Sequence, residues 1–320
     1  MLTTPFTELT GCTVPVQQAG MGGIATPELA TAVARAGGLG MVAGVMIPAP
    51  ALATMLDAID PPLREHIGVN FLMPFLDADA VTEAASRVRV VEFFYGDPDA
   101  SLIDIVHTGG ALAFWQVGSE AEAQAAIDAG CDAIVVQGIE AGGHIRGTVA
   151  LHTLLGPVLE SATVPVVAAG GIGTSRQAAA AFAAGAHAVR AGTIFVAASE
   201  SAAHPEYIQA LVQARATDTV YTEAYENGWP DAPHRVLASG IAAAQQHDGD
   251  TVAEMLIGEE RVPVAKFSPD PPTRDTTGNI AAMALYAGES VDAVHNVRPA
   301  ADIVTGLAEG AETLLRHWCQ

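Results

Sequence analysis

The sequence predicts an α/β fold, a (β/α)8 TIM barrel with a smaller inserted lobe, and three observations support this. The chain has 320 residues, of which 50% are hydrophobic, so it is long enough to bury a large core. Eight short, nearly continuous apolar runs alternate with amphipathic helical patterns, as expected for strands buried on both faces of a parallel sheet. Several of these runs break into glycine where a strand would be followed by a helix. A doubly wound open sheet is the alternative arrangement of the same units.

Local signals support the individual strand–helix units. Pro27 suits the first turn of a helix, where the missing N–H loses no hydrogen bond. Ser119 and Glu122 have the spacing of a capping box. The eight predicted strands are Val14–Ala19, Leu39–Gly44, Ile67–Met73, Val88–Tyr95, Ala111–Val117, Ala133–Gln137, Pro165–Ala169 and Ala188–Val196. The predicted helices between them are Thr26–Ala36, Pro50–Ile59, Asp77–Arg87, Asp99–Thr108, Ser119–Ala129, Leu151–Ser161 and Ser175–Ala184.

The pattern changes after Ser199. Residues 204–265 are richer in Asp, Glu, His and Gln and carry weaker strand signals, so we interpret them as an inserted lid or substrate lobe over the mouth of the barrel. The barrel is then formed by residues 1–203 and 266–320. Two helices, Asn279–Ala287 and Pro299–Arg316, are predicted to complete it.

The composition argues against several classes of protein. The net charge is −22 and Lys266 is the single lysine, so the chain lacks the basic face that nucleic-acid binding requires. The same charge disfavours an acidic carrier protein as a partner. No run of about 18 apolar residues could span a membrane, and the first residues lack the pattern of a secretory signal. Cys12, Cys131 and Cys319 are odd in number and far apart, which favours free thiols and a cytoplasmic location. The oligomeric state is not predicted.

Two glycine turns, after the seventh and eighth predicted strands, favour a phosphate site. Gly170-Gly171 precedes a helix start at Thr174, where free backbone N–H groups would face an anion. Gly192-Thr193 adds a second set of donors, in the place where such barrels commonly bind phosphate. No lysine lies nearby, so backbone dipoles would hold the phosphate, helped by Arg176 or Arg190. The alternative is that both glycine pairs are only tight turns.

Two segments on other strands suit the remainder of a planar ligand. The first strand ends in Ala19-Gly20-Met21-Gly22, whose small side chains let a ring lie against the backbone. Asn70 interrupts the apolar third strand, and a buried amide requires hydrogen-bond partners. Ligand hydroxyls and neighbouring backbone groups are equally good partners for it on this pattern alone.

His144 is the best catalytic candidate among the ten histidines. It ends the loop QGIEAGGH at residues 137–144, which follows a buried strand and whose glycines would leave the imidazole accessible. Arg146 would raise the local positive potential and favour an anionic or developing-anion substrate. No nucleophile–base motif and no zinc spacing occurs, so hydrolase and metalloenzyme functions are weakly supported.

Together these motifs resemble the nitronate monooxygenase family, also called 2-nitropropane dioxygenase, which is related to FMN-dependent enoyl-carrier-protein reductases. They cover nearly the whole chain in the expected order, and the pair EAGGH and AAGGI is fairly specific. The segments that carry the resemblance are VQQAGMGG at 16–23, GVN at 68–70, QGIEAGGH at 137–144, AAGGI at 168–172, GTIF at 192–195, TDTVYT at 217–222, PPTRD at 271–275 and MALYAGES at 283–290.

The resemblance implies an FMN-dependent barrel in which His144 faces a small-molecule substrate. Two positions depart from the family pattern: Ile145 separates the histidine from Arg146, and the charged Arg190 stands shortly before Gly192. The residues that correspond to the flavin site are Ala19, Gly20, Met21, Gly22, Asn70, Gln137, Gly142, Gly143, Ala169, Gly170, Gly171, Gly192, Thr193, Tyr286, Gly288 and Ser290.

The implied reaction is the oxidation of alkyl nitronates with O2 to a carbonyl compound and nitrite, with His144 orienting the nitro group or removing an α-proton. The alternative on the same scaffold is an NAD(P)H-dependent reductase of quinones or enoyl thioesters. Two further alternatives are a flavin-free isomerase or lyase that binds a sugar phosphate, and a non-catalytic flavin store or sensor.

Overall fold

The computed structural model describes residues 2–318, and an eight-stranded parallel sheet forms its centre. The second to eighth strands pair in chain order, and the first strand pairs with the eighth. The prediction of a TIM barrel is therefore confirmed. The barrel strands are Val16–Gln18, Gly40–Ala43, Ile67–Leu72, Val90–Phe94, Leu112–Val117, Ala133–Gln137, Val166–Ala169 and Ala188–Ala191.

The first and second strands close the barrel through a short contact. Gln17 and Leu39 form a parallel bridge, and the N–H of Gln18 donates to the carbonyl of Leu39 at 3.0 Å. The side-chain Oε1 of Gln18 accepts from the N–H of Met41 at 2.9 Å, so it replaces a backbone acceptor where the two strands diverge. This closure distinguishes the fold from the open doubly wound alternative.

Helices surround the barrel and close its lower end. Phe6, on the first helix, is fully buried against Phe114 inside the barrel, with ring centroids 6.3 Å apart. Ala300–Trp318 packs against Ser175–Ala183 and Pro27–Arg35, so it is the last barrel helix. The α-helices are Pro5–Thr10, Pro27–Arg35, Ala49–Asp57, Pro61–Arg64, Ala78–Ala85, Ala100–Gly109, Glu120–Asp128, Leu151–Ser161, Ser175–Ala183, Thr193–Val196, Pro205–Gln213, Ala238–Gln246 and Ala300–Trp318. The 3-10 helices are Met73–Phe75, Ala216–Asp218, Ile280–Ala282 and Glu289–Ala293.

Two small antiparallel sheets lie outside the barrel. One combines Gly143–His144 with Thr219–Thr222 and His234–Leu237, and the other combines Thr251–Ile257 with Glu260–Ala265 and Thr277–Gly278. The division of the chain at residues 204 and 265 stays a prediction. Within this region Tyr207 packs in the core of the barrel, whereas Met283, beyond residue 265, packs against Val252.

Two of the predicted elements are wrong in part. Residues 279–287 were expected to be helical, but only Ile280–Ala282 forms a 3-10 turn, because the backbone of this segment bonds to the lobe instead. The carbonyl of Leu285 accepts from Leu237 at 2.9 Å, and that of Met283 accepts from the Tyr225 hydroxyl at 2.9 Å. The eighth strand ends at Ala191, and a helical turn begins after Gly192. The C-terminal helix predicted over Pro299–Arg316 is confirmed.

Two further sequence features have structural counterparts. Between residues 2 and 318, no helix combines the length and apolar character that a membrane crossing requires. Cys12 and Cys131 are buried and free, whereas Cys319 lies outside the described residues. The cytoplasmic location stays a prediction.

Candidate active site at the mouth of the barrel

The residues predicted to hold the cofactor all lie at the carboxyl ends of the barrel strands or in the segment that covers them. Gly20, after the first strand, lies so close to Asn70 on the third strand that a Cβ on Gly20 would be 2.5 Å from the Asn70 Cβ. A Cβ on Gly192, after the eighth strand, would lie 3.4 Å from the Ala19 Cβ and 3.8 Å from the Met21 Sδ. The structure thus brings the first, third and eighth strand ends into contact.

The C-terminal segment 286–290 packs directly on the glycine loops. A Cβ on Gly142 would lie 2.4 Å from the backbone nitrogen of Gly288, so only glycine allows this approach. The N–H of Gly288 donates to Thr193 Oγ1 at 3.0 Å, and Ser290 lies against Gly173. The sixth, seventh and eighth strand ends therefore share one cover.

The glycine turns offer backbone donors, but fewer than the sequence suggests. The N–H groups of Gly171, Gly192 and Thr193 donate to no acceptor within residues 2–318. Those of Gly173 and Thr174 are not free, because the side-chain Oε1 of Gln177 accepts both, at 2.9 and 3.0 Å. The glycine turns themselves therefore contribute free donors, while Gln177 occupies the N–H groups of the two residues that precede the helix.

A layer of polar side chains crosses the barrel just below the mouth. Glu92 Oε1 accepts from Asn70 Nδ2 at 2.9 Å, and Glu92 Oε2 accepts from Gln17 Nε2 at 2.9 Å. Glu92 Oε1 also forms an ion pair with Arg190 at 2.8 Å. Arg190 also donates to Gln116 Oε1 at 2.7 Å. We call these five residues the polar layer. Arg190 is thus turned into the barrel, so the prediction that it helps to hold a phosphate is wrong.

Within the polar layer, the amide nitrogen of Asn70 donates to the carboxylate of Glu92 and not to neighbouring backbone. Sequence reasoning missed Glu92, Gln17 and Gln116 as members of the site. A signal was present for Glu92 and Gln116, because each is a single polar residue within an otherwise apolar strand. Gln17 is one of two adjacent glutamines in its strand.

His144 lies within a group of aromatic rings instead of being accessible as expected. Its imidazole stacks on the Trp229 indole, with ring centroids 3.9 Å apart, and meets the edge of Tyr95 at 5.7 Å. His234 and Tyr286 lie at 5.3 and 5.5 Å. Burial, and secondarily the neighbouring His234, lower the pKa of His144 from 6.5 to about 3. The imidazole is therefore uncharged at neutral pH.

Tyr95 and Trp229 are site residues that the sequence did not reveal. Tyr95 follows the fourth strand directly and has φ +66°, a left-handed conformation that is strained for a residue with a bulky side chain. Its ring also contacts the Trp229 indole at 4.8 Å. Burial raises the pKa of the Tyr95 hydroxyl, so that group stays protonated. The sequence signal available for Tyr95 was its position at the end of a predicted strand. Trp229 lies in a loop of the lobe, and no sequence signal pointed to it.

Arg146 and Glu140 have structural partners. Arg146 donates to Glu122 Oε1 at 2.9 Å and to Asp97 Oδ1 at 3.0 Å, so two carboxylates neutralise the charge that was expected to face the substrate. The Glu140 carboxylate accepts from the N–H of Leu151 at 3.0 Å and holds the start of the following helix. Arg146 therefore contributes no free positive charge to the mouth, and Glu140 has a structural role at the start of the helix.

Three buried atoms at the mouth have no hydrogen-bond partner in the described part of the chain: Gln17 Oε1, Gln137 Oε1 and His144 Nε2. The amide orientations are fixed, because Gln17 Nε2 donates to Glu92 and Gln137 Nε2 donates to the carbonyl of His144 at 3.1 Å. Both free amide atoms are consequently acceptors. A buried polar atom without a partner is destabilising, so this arrangement suits a ligand that brings N–H or O–H donors.

Comparisons with known proteins identify the family and support the fold. A family model described as nitronate monooxygenase matches residues 3–83 and 77–310. A (3aS,4S,5R,7aS)-5-hydroxy-7a-methyl-1-oxo-octahydro-1H-indene-4-carboxyl-CoA dehydrogenase of Rhodococcus jostii is 35% identical over 251 residues, covering 78% of this chain and 69% of that protein. A nitronate monooxygenase of Pseudomonas aeruginosa is 33% identical over 270 residues, covering 69% of this chain and 77% of that protein. The structure of FabK from Thermotoga maritima superposes with a TM-score of 0.80 at 28% identity, covering 100% of this chain and 99% of that one.

Proposed function

This chain belongs to the nitronate monooxygenase family and is an oxidoreductase, and from that premise we propose that it uses FMN to oxidise alkyl nitronates with O2 to a carbonyl compound and nitrite. The observation that carries the proposal is the position of His144. Its half-buried, uncharged imidazole has a buried Nε2 without a partner in the described part of the chain, and it lies beside the glycine loops at the mouth of the barrel.

The residues at the mouth fit a flavin mononucleotide. Its phosphate requires donors, which the N–H groups of Gly171, Gly192 and Thr193 supply. Its ring N–H and ribityl hydroxyls require acceptors, which Gln17 Oε1 and Gln137 Oε1 supply. Bound there, the flavin supplies the redox chemistry, taking electrons from the substrate and passing them to O2.

The uncharged state of His144 favours a nitronate over a neutral nitroalkane as the substrate. A base whose conjugate acid has a pKa of about 3 removes a carbon-bound proton poorly at neutral pH. A nitronate has already lost that proton. His144 therefore serves to orient the nitro group through Nε2, and the rings of Trp229 and Tyr95 exclude water from it.

One spectroscopic experiment tests this function. The purified protein is expected to be yellow, to release FMN on denaturation, and to lose its flavin absorbance when mixed anaerobically with propyl-1-nitronate. His144→Gln should slow that bleaching, while His152→Gln, on the exposed face of a barrel helix, should leave it unchanged. A yellow protein that nitronate does not bleach contradicts the proposed substrate, and a colourless one that refuses added FMN contradicts the cofactor.

A second candidate is the oxidation or reduction of a coenzyme A or other acyl thioester with a nicotinamide cofactor. It is favoured by the 35% identity to the carboxyl-CoA dehydrogenase of Rhodococcus jostii. Rapid anaerobic bleaching by NADH or NADPH, followed by reoxidation with an enoyl thioester, would support this candidate over the nitronate reaction.

A further inference from the structure

A buried ion pair lies inside the barrel. Arg190 and Glu92 approach to 2.8 Å, and their side chains are 5% and 0% exposed. Removing two charges from water is unfavourable, and replacing such a pair with apolar residues is often neutral or stabilising. An apolar interior like the layer around Phe114 would serve the fold equally well, so the pair calls for a function.

The carboxylate of the pair is occupied more fully than the guanidinium. Glu92 accepts from Asn70 and Gln17, forms an ion pair with Arg190, and is entirely buried. The guanidinium nitrogen Nη1 of Arg190 contacts both Glu92 and Gln116. The other guanidinium nitrogens donate to no acceptor among residues 2–318. Arg190 therefore carries N–H groups that Glu92 and Gln116 do not occupy, although both side chains of the pair are almost fully buried.

The polar layer lies directly below the loops assigned to the flavin. Arg190 precedes Gly192 by two residues on the eighth strand, and Asn70, bonded to the same carboxylate, lies against Gly20. A positive charge in this water-poor interior acts at a higher effective strength than one at the surface. It would stabilise any negative charge that develops on a group bound above it.

We propose that Arg190, held in place by Glu92, raises the reduction potential of the bound flavin. The inference rests on the proposed function, since it requires a flavin at this site. Reduction adds two electrons and one proton to a flavin at neutral pH, so the ring gains one negative charge. In turnover both electrons come from the substrate as it is oxidised. Arg190 would thus act through its positive charge, and it need not touch the reacting atoms.

The test measures the potential of the bound flavin by equilibration with reference dyes during anaerobic reduction. Arg190→Met should lower the equilibrium constant for two-electron reduction at least ten-fold, which corresponds to about 30 mV. Arg190→Lys, which keeps the charge, should restore most of the difference. Arg89→Met is the matched control, because Arg89 lies at the opposite end of the fourth strand and donates to the carbonyl of Leu9 at 2.6 Å. Its potential should equal that of the wild type.

The outcomes separate the two proposals. If the wild-type protein binds no flavin, the proposed function fails. If flavin binds and Arg190→Met leaves the potential unchanged, this inference fails while the function stands. Should Arg190→Met fail to fold around the unpaired Glu92, the comparison of Glu92→Gln with E92Q/R190M decides, because both variants lack the Glu92 charge and differ only at Arg190. A potential of E92Q/R190M equal to or above that of Glu92→Gln overturns the proposal.

Discussion

The imidazole of His144 and the indole of Trp229 are stacked, with ring centroids 3.9 Å apart and planes inclined by 25°. Tyr95 and Phe75 hold the indole from the other sides, at centroid distances of 4.8 and 5.0 Å. Trp229 itself is 8% exposed. A loop of the lobe therefore provides one wall of the site, and the proposed catalytic histidine is shielded from water by a residue distant in sequence.

Removing this wall should alter both the rate and its pH dependence. In Trp229→Ala we expect about a five-fold loss of kcat/KM for a small nitronate, because a stacked ring pair contributes about 1 kcal/mol. Water then reaches His144, and its pKa should rise toward 6.5. The pH profile of kcat/KM should gain a new inflection near pH 6. Trp318→Ala, at the exposed end of the last helix, is the control and should change neither quantity.

The burial of His144 should make the protein sensitive to acid. Its pKa in the fold, about 3, lies below the ordinary value of 6.5, so the unfolded chain binds one more proton between these pH values. The free energy of unfolding should therefore fall by about 1.4 kcal/mol per pH unit from this group as the pH drops below 6.5. Urea unfolding of the wild type and His144→Gln at pH 7, 6 and 5 checks this. The variant should show the shallower dependence, and equal slopes would contradict the burial of the ring.

Much of the fold is encoded locally and could be predicted for that reason. The eight apolar runs and their capping residues predict the barrel because strands that are buried on both faces appear in the sequence as nearly continuous hydrophobic runs. The 279–287 segment was not predictable in this way. Its apolar residues have helical spacing, yet its carbonyls at Met283 and Leu285 accept bonds from the lobe, which are long-range contacts.

In the site, too, the features set by local sequence were predictable and those set by long-range contacts were not. The glycine loops were predictable because close backbone approach requires glycine, as at Gly142 against Gly288. The environment of His144 was not, since Trp229 and His234 come from the lobe and bring burial where accessibility was expected. Arg190 and Arg146 look alike in sequence as free charges. Only the tertiary structure shows that each has a carboxylate partner.

The two described cysteines should be unreactive in the folded protein. Burial is the main cause that raises the pKa of Cys12 to about 11 and that of Cys131 to about 12. At pH 8 only about one thiol in a thousand or fewer is then ionised, and the thiolate is the reactive form. Peptide mapping after brief iodoacetamide treatment should find both unmodified in the native state and both labelled in urea. Native labelling of Cys131 would show that the sixth strand opens readily.

The contact between Gly142 and Gly288 should be the least tolerant point of the mouth. A Cβ on Gly142 would meet the backbone of Gly288 at 2.4 Å, so Gly142→Ala should lower the free energy of unfolding by about 3 kcal/mol. Gly143→Ala is the matched control. Gly143 has φ +76° but open space around it, so only backbone strain of about 1–2 kcal/mol is expected.

Gly288→Ala reports on the same contact from the other side, since its Cβ would lie 2.5 Å from the backbone nitrogen of Gly142. Once one substitution has displaced segment 286–290, the second Cβ meets less resistance. The double variant G142A/G288A should therefore lose at least about 1 kcal/mol less than the sum of the two single losses. Urea unfolding of the four proteins measures this difference. Strict additivity would show that the two backbones separate independently and that the segment is not clamped at this point.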